Sequence, residues 1–399
     1  MKISQMMHFP LKGAGTGIYV DSLTKSLMRD GHQVRVLCSD HHQPVKDYPV
    51  EAVLFSDGRN ETFDLDFDFP VFASHPLSKG DKFGQLSKEE LKAYFQAFRK
   101  KIEKGLSEFA PDIVHVHHGW AIASIVSEFD VPYIVSLHGT EYRAFGSYKN
   151  CQEFTLHGLR AAKVIIALTE QESDQAIAAY GLEPQKVTVV TSGVDTGLFR
   201  PVEINKEQLL EDYSVKEKDR PVIVFGGRLT SQKGVATLLQ AAEKYSKSQA
   251  KPITLIAGDG DLRPELESLA KELNLDRVYF LGHQSHEQMV GLFNVADVVA
   301  VPSSLEAFGL VAPEALACGT PVIASRVGGL RHTVNEQVGS FIEPGDDKAL
   351  AEKVIAFITQ GFKQEAGEEI AAYARENFSW NNTVKNIEKI YAQVLEKDR

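Results

Sequence analysis

Cysteine is scarce in this sequence: Cys38, Cys151 and Cys318 lie far apart, with no paired spacing. That excludes a disulfide framework and a zinc ribbon, and it fits a reducing compartment. Nowhere do about 18 apolar residues run together, so a spanning helix is not expected. The opening Met1-Lys2-Ile3-Ser4-Gln5-Met6-Met7 is too short and too mixed for a signal-peptide core, and a cytoplasmic location is the expectation. An excess of basic residues is also missing. The formal net charge is -11, so nucleic acid is not expected as a partner, because phosphate binding calls for a basic surface. What is present is an ordinary globular composition, 43% hydrophobic and 24% charged, in a chain of 399 residues that suits two domains.

Short apolar runs alternate with longer amphipathic segments, the pattern of a parallel sheet covered by helices. In the first half this predicts strands over 2–7, 33–38, 113–116, 133–137, 164–167 and 187–190. Helices are predicted over 18–29, closed by Gly31, and over 88–109, stopped before Pro111. Residues 55–84 are rich in Asp, Phe, Gly and Pro without clear periodicity, and read as an irregular excursion with room for an edge strand. The alternation then restarts, with strands over 221–225, 254–257, 278–281, 298–301, 322–324 and 340–342. Helices follow over 235–245, 263–273, 287–293, 313–318 and 348–359. The halves join through 192–201 and a polar stretch near 206–220. Two α/β halves of this kind bind ligands beyond the C-terminal ends of their strands. A last helix over 381–395 has no partner fixed by sequence.

Phe225-Gly226-Gly227-Arg228-Leu229-Thr230-Ser231-Gln232-Lys233-Gly234 ends a strand and opens a helix. Glycines let backbone N–H groups approach an anion, and the helix N-terminus adds partial positive charge. Arg228 and Lys233 bring full charges to the same mouth, a combination suited to a diphosphate leaving group. The plainer alternative is a glycine turn with two solvated basic residues. A Walker P-loop is excluded, because its Gly-Lys-Ser/Thr ending is missing. Downstream, Glu306-Ala307-Phe308-Gly309-Leu310-Val311-Ala312-Pro313-Glu314 follows another strand. Pro313 is expected at a helix start, with Glu314 in the first turn and Glu306 in the loop before it. Two such carboxylates suit the two ends of a long ligand, sugar hydroxyls at one and ribose hydroxyls at the other. The alternative is an acid that only complements the helix dipole.

The chain resembles the retaining GT-B glycosyltransferases, in particular family 4 (glycosyltransferase group 1). The likeness is carried by the Gly-Gly-Arg-Leu…Lys-Gly stretch at 226–234, the Glu-x7-Glu element from Glu306 to Glu314, Gly258-Asp259-Gly260, Gly319-Thr320-Pro321-Val322-Ile323-Ala324, and Gly193-Val194-Asp195 with Phe199 and Pro201. It implies an α/β GT-B architecture, two Rossmann-like domains with parallel sheets facing across a cleft. An acceptor domain would span 1–196, with a helix over 379–399 packing back on it, and a donor domain 197–378. The implied activity is that of a metal-independent hexosyltransferase without cofactor. It would move a sugar from a nucleotide diphosphate, UDP first and GDP next, to a hydroxyl of a small-molecule, glycan or lipid acceptor. By the same resemblance Arg228 and Lys233 bind the diphosphate, Glu314 the ribose and Glu306 the transferred sugar. Backbone amides of Ala307, Phe308, Gly309 and Leu310 face sugar and phosphate, Leu281 edges the base, and Gly227 and Gly258 line the donor. One departure is Ser192, where the family often has asparagine before Gly193-Val194-Asp195.

In the first half, Lys12-Gly13-Ala14-Gly15-Thr16-Gly17 does not complete Gly-x-Gly-x-x-Gly, so an NAD fingerprint is absent. As a glycine loop at a helix N-terminus, Gly15 is placed with the donor; a tight strand-to-helix turn is the other reading. Ser136-Leu137-His138-Gly139-Thr140-Glu141 puts His138 at a strand's C-terminal lip. There the family places a histidine near the reacting sugar, its ring donating to a phosphate or sugar oxygen. His138, Glu306, Arg228 and Lys233 are thus the expected catalytic set, and His118, Trp120 and Glu141 the expected acceptor side. His115 and His117 share a strand face, which makes zinc conceivable, but no second ligand cluster supports it. Asp64-Leu65-Asp66-Phe67-Asp68 reads as a solvated acidic segment. A basic-aromatic stretch over 92–104 admits peripheral membrane contact or, more simply, a core-facing aromatic stripe. A nucleotide-sugar epimerase of the same architecture and a non-catalytic sugar-nucleotide-binding protein are the alternative functions. Intact Glu306, Glu314 and His138 count against the second.

Overall fold

The structure is a computed structural model and describes the chain except residues 14, 73, 74, 76, 79, 81, 140, 148 and 399 and the side chains of Arg143 and Ala144. Ala14 and Thr140, quoted in the two loops above, therefore lie outside the described residues. The apolar runs form strands β1 (Lys2–Met7), β2 (Gln33–Asp40), β3 (Val50–Leu54), β4 (Ile113–His117), β5 (Tyr133–Ser136), β6 (Val164–Ala167) and β7 (Val187–Val189) in the first half. In the second half they form β8 (Val222–Gly226), β9 (Ile253–Ala257), β10 (Val278–Gly282), β11 (Val298–Val301), β12 (Val322–Ser325) and β13 (Gly339–Ile342). Residues on both faces of β4, β5, β8, β9, β11 and β12 are buried, which is why these strands read as unbroken apolar runs.

One sheet has the order β3-β2-β1-β4-β5-β6-β7 and the other β10-β9-β8-β11-β12-β13. Each pairing among the described strands is parallel. Strand order reverses between β1 and β4 in the first sheet and between β8 and β11 in the second. Crossover helices leave in opposite directions at such a point, so a crevice opens beyond the strand ends there. That places two candidate sites. Chain contacts divide the molecule into one unit of Met1–Ser192 with Thr383–Arg399 and another of Gly193–Asn382. The final helix, Trp380–Lys397, crosses that division and buries Val384, Ile387 and Tyr391.

The 55–84 segment is irregular in backbone but not peripheral, because Phe55, Phe69 and Phe83 are fully buried core residues. The edge strand lies just before it, at β3. The three acids of the excursion show structural contacts at two positions. Asp64 Oδ2 accepts from the Leu54 amide at 2.9 Å, and Asp68 pairs with His41 Nε2 at 2.7 Å. The helix Lys88–Phe109 opens on a Ser87–Glu90 capping box and turns Tyr94, Phe98 and Ile102 into the core. Its Arg99 and Lys101 pair with Glu128 and Glu51. Among the described residues no helix is long and apolar enough to cross a membrane.

Candidate active site

In the second unit, β8 runs straight into Gly227, whose φ of +145° only glycine adopts easily. The facing loop is equally tight. A Cβ on Gly258 would lie 1.8 Å from the Gly227 carbonyl oxygen, so the two loops touch backbone to backbone. Leu229 is fully buried below them and its amide donates to the Asp259 carbonyl at 2.9 Å. Arg228, between these anchors, is left exposed at the strand end. A single turn, Ser231–Lys233, then leads to Gly234, where a Cβ would sit 2.0 Å from the Pro302 carbonyl oxygen. That close approach draws Lys233 against the loop after β11.

Lys233 Nζ donates to Glu306 Oε1, and Ser303 Oγ donates to the same oxygen at 3.1 Å. Two side chains expected at opposite parts of a ligand, the diphosphate and the sugar, are therefore in direct contact. Their charges offset one another, which lowers the cost of holding both half-buried. The helix after Glu306 begins at Val311 rather than at Pro313. Pro313 still falls in the first turn, where its missing N–H has no intrahelical partner to lose, and Glu314 remains in that turn. Burial pushes the Glu314 carboxyl up to about 8.

The Glu306 loop depends on a feature the sequence reading passed over. A Cβ on Gly328 would lie 1.7 Å from the Glu306 carbonyl oxygen, and one on Gly329 would lie 2.5 Å from Phe308 Cα. The Gly329 amide donates to the Ala307 carbonyl at 3.0 Å. The signal was the paired glycine that follows the end of β12 after two intervening residues. Gly328→Ala is expected to lower turnover at least about tenfold by displacing Glu306, while circular dichroism keeps the wild-type helix content. Unchanged turnover in that variant would break the link between this glycine and the loop. At β10, the Leu281 carbonyl accepts from Gln284 Nε2 at 2.9 Å and the Gly282 carbonyl accepts from the Gly258 amide at 2.7 Å. Main-chain contact with a base from these two carbonyls would have to share an existing bond.

In the first unit, Gly15 begins the helix Gly15–Arg29, and a Cβ there would meet nothing within 4 Å. The C-terminal ends of β1, β4 and β5 bring together five histidines. The His8 and His118 ring centroids are 5.0 Å apart, His118 and His138 4.8 Å, and His115 and His117 stack at 4.4 Å. His118 has φ +71°, an uncommon conformation for a residue with a side chain, which departs from the β4 backbone just where the cluster forms. His118 Nδ1 lies 3.2 Å from Glu141 Oε1, and another Glu141 contact is the His138 amide, which donates to Oε1 at 2.9 Å. Burial alone would raise the Glu141 carboxyl, but His118, by charge and by hydrogen bond, holds it down at about 2.

Of the residues expected at the acceptor, Trp120 and Glu141 are fully buried and His118 nearly so. Trp120 packs on Phe72 with centroids 4.0 Å apart. All three are buried and do not present a surface; His118 and Glu141 lie against His138, and Trp120 against Phe72. The ring nitrogens that zinc would need are engaged elsewhere. His115 bonds Tyr391 and Ser136, each at 2.7 Å, and His117 bonds His138 and Gln5. Among the described residues no group of three ligating side chains could hold a metal ion. Gln5 is the other residue the sequence reading missed. A glutamine inside an apolar strand was the available signal.

Two family profiles match consecutive stretches of the chain, Glycosyltransferase Family 4 over 13–198 and Glycosyl transferases group 1 over 207–377. The chain is 30% identical to the D-inositol 3-phosphate glycosyltransferase of Xylanimonas cellulosilytica, over 97% of this chain and 95% of that protein. It is 27% identical to an uncharacterized glycosyltransferase of Methanocaldococcus jannaschii, over 96% of this chain and 95% of that protein. Among solved structures, the sucrose-phosphate synthase of Thermosynechococcus elongatus matches with a TM-score of 0.75 at 22% identity, over 100% of both chains. Anabaena HepE, solved in complex with UDP, also matches with a TM-score of 0.75, at 20% identity over 98% of this chain and 100% of that one. At such identities the structural likeness is one of fold.

Proposed function

Because the chain belongs to the family 4, group 1 glycosyltransferases and has their α/β GT-B fold, we propose that it is a metal-independent, retaining hexosyltransferase using a UDP-sugar, with a GDP-sugar as the next choice. The observation that carries this reading is the contact of Lys233 with Glu306, beside exposed Arg228, at the switch point of the second sheet. A guanidinium and an ammonium at one strand end supply the positive charge that a departing diphosphate needs, the part a divalent metal plays in other enzymes. Glu306 then takes hydroxyls of the transferred sugar and Glu314 those of the ribose, each as hydrogen-bond acceptor or, when protonated, donor. Ala307, Phe308, Gly309 and Leu310 offer amides to sugar and phosphate. Gly227 and Gly258 admit the donor closely, and Leu281 lies by the base. In the first unit His138 contacts the reacting sugar, with Gly15 leaving the helix start open.

Retention by same-face attack needs no enzymic nucleophile, since the leaving phosphate oxygen takes the acceptor proton. The UDP preference draws on the UDP-bound HepE and on family frequency. D-inositol 3-phosphate belongs in the acceptor screen because it names the substrate of a relative. The test incubates the protein with UDP- and GDP-hexoses and phosphorylated and plain polyol acceptors, and reads the product by mass spectrometry and its anomeric proton coupling by NMR. A product with inverted configuration, or an activity that EDTA abolishes, would overturn the respective part of the proposal. Donor converted without any acceptor would indicate an epimerase instead.

A further inference from the structure

The first unit holds a hydrogen-bond chain whose polarity is fixed from one end. Thr24 lies in the helix Gly15–Arg29, and its Oγ1 is 2.7 Å from the Val20 carbonyl oxygen. A hydroxyl so close to a carbonyl donates to it, which leaves Thr24 Oγ1 only lone pairs for other partners. Gln5 therefore presents Nε2 to Thr24 Oγ1, at 2.7 Å, and Oε1 to His117 Nε2, at 2.9 Å. An amide oxygen only accepts, so His117 carries a proton on Nε2. Burial drives the His117 imidazole well below its ordinary range, and His115, His138 and His118 push it the same way. The ring is neutral, and its Nδ1 is a bare lone pair. His138 Nε2 lies 3.2 Å from that lone pair and must donate to it.

The chain ends at His138. Burial and His118 also keep this ring below its ordinary range, against an opposing pull from Glu141, so with Nε2 protonated its Nδ1 is not. Among the described residues no hydrogen bond reaches His138 Nδ1, and His138, at 9% exposure, is the least buried histidine of the cluster. We propose that Gln5 and His117 are positioning residues that hold His138 as the Nε2–H tautomer, so that its Nδ1 accepts a hydrogen bond from a substrate hydroxyl. This rests on the reading of His138 as a sugar contact and sharpens it. A ring with this polarity repels a phosphate oxygen and selects a hydroxyl, the reverse of the donating role expected from sequence.

The test uses the full chain labelled with 15N at histidine and reads each imidazole through its long-range proton–nitrogen correlations, with His138 assigned by the signals lost in His138→Ala. The expected wild-type pattern is His138 protonated at Nε2 and bare at Nδ1. Gln5→Met removes the acceptor that orients His117, and is expected to shift His138 toward the other tautomer and lower kcat roughly tenfold or more. Gln5→Glu, kept protonated by burial, donates to Thr24 Oγ1 and accepts from His117 Nε2 as the amide does, and is expected to recover both tautomer and rate. A wild-type His138 protonated at Nδ1, or a Gln5→Met spectrum unchanged at His138, overturns the proposal. If Gln5→Met does not fold, the wild-type and Gln5→Glu spectra still decide it. The expected tautomers with full activity in His138→Ala would instead remove His138 from the substrate, leaving the donor-site reading untouched.

Discussion

Arg228→Ala and Lys233→Ala are each expected to lower kcat/KM for the nucleotide-sugar donor by about 10²- to 10³-fold, and the double variant is expected to show no measurable transfer. In the proposed mechanism the charge that develops on the leaving diphosphate is met at the end of β8 by these two cations, and either one alone would leave part of it uncompensated. The two losses should differ in kind. Arg228 is exposed and its removal leaves little behind. Lys233→Ala also strips Glu306 of its cation and leaves a half-buried carboxylate held by Ser303 Oγ at 3.1 Å. A Lys233→Ala, Glu306→Gln double variant should therefore regain thermal stability over Lys233→Ala without regaining activity. Steady-state kinetics against donor concentration, read with melting temperatures, separate the two effects. Near-wild-type turnover in the Arg228, Lys233 pair would remove both from the diphosphate site.

Glu314→Gln is expected to change how the melting temperature depends on pH. The Glu314 carboxyl rises to about 8 in the folded chain from its ordinary value of 4.5, with burial as the cause. The folded state therefore binds a proton that the unfolded state releases across this window. Its contribution to stability is fully present below the unfolded value and is lost as pH climbs through the folded one. The loss is on the order of a few kcal/mol, limited by the partial exposure of the side chain. Glutamine keeps the shape and cannot ionise. Near pH 5 the variant and wild type should melt within a few degrees of each other, and near pH 8 the variant should melt higher, by several degrees. Parallel melting curves across that range would show that Glu314 is ionised in the folded chain throughout. The same variant should weaken donor binding at every pH, because an amide replaces the group assigned to the ribose.

Much of the fold was legible because buried parallel strands carry their own signal. β1, β6 and β11 have the bounds that their apolar runs suggested. β3 escaped because Val50-Glu51-Ala52-Val53-Leu54 has a charge in its second position and follows a polar loop. As an edge strand it needs only one neighbour, and Glu51 pairs with Arg35 of β2. At the site, the residue types and their places at strand ends were legible, while their partners were not. Lys233 and Glu306 are 73 positions apart, and Gln5 and His117 are 112 apart. Such pairs follow from strand order, here β1 beside β4 and β8 beside β11, and strand order is a property of the packed sheet. The Pro313 expectation missed by two residues for a local reason. Proline is as comfortable inside the first turn as at its first position.

The last helix has a consequence for how the molecule is made. Tyr391 closes over β4 with a 2.7 Å bond to His115, and Glu388 reaches His32 at 2.7 Å, so the first unit is sealed by residues translated after the whole of the second. During synthesis the histidine-bearing sheet must wait with one flank open while the second unit is made and folds. The half that emerges first is therefore the half whose packing is completed last, when the C-terminal helix becomes free to dock.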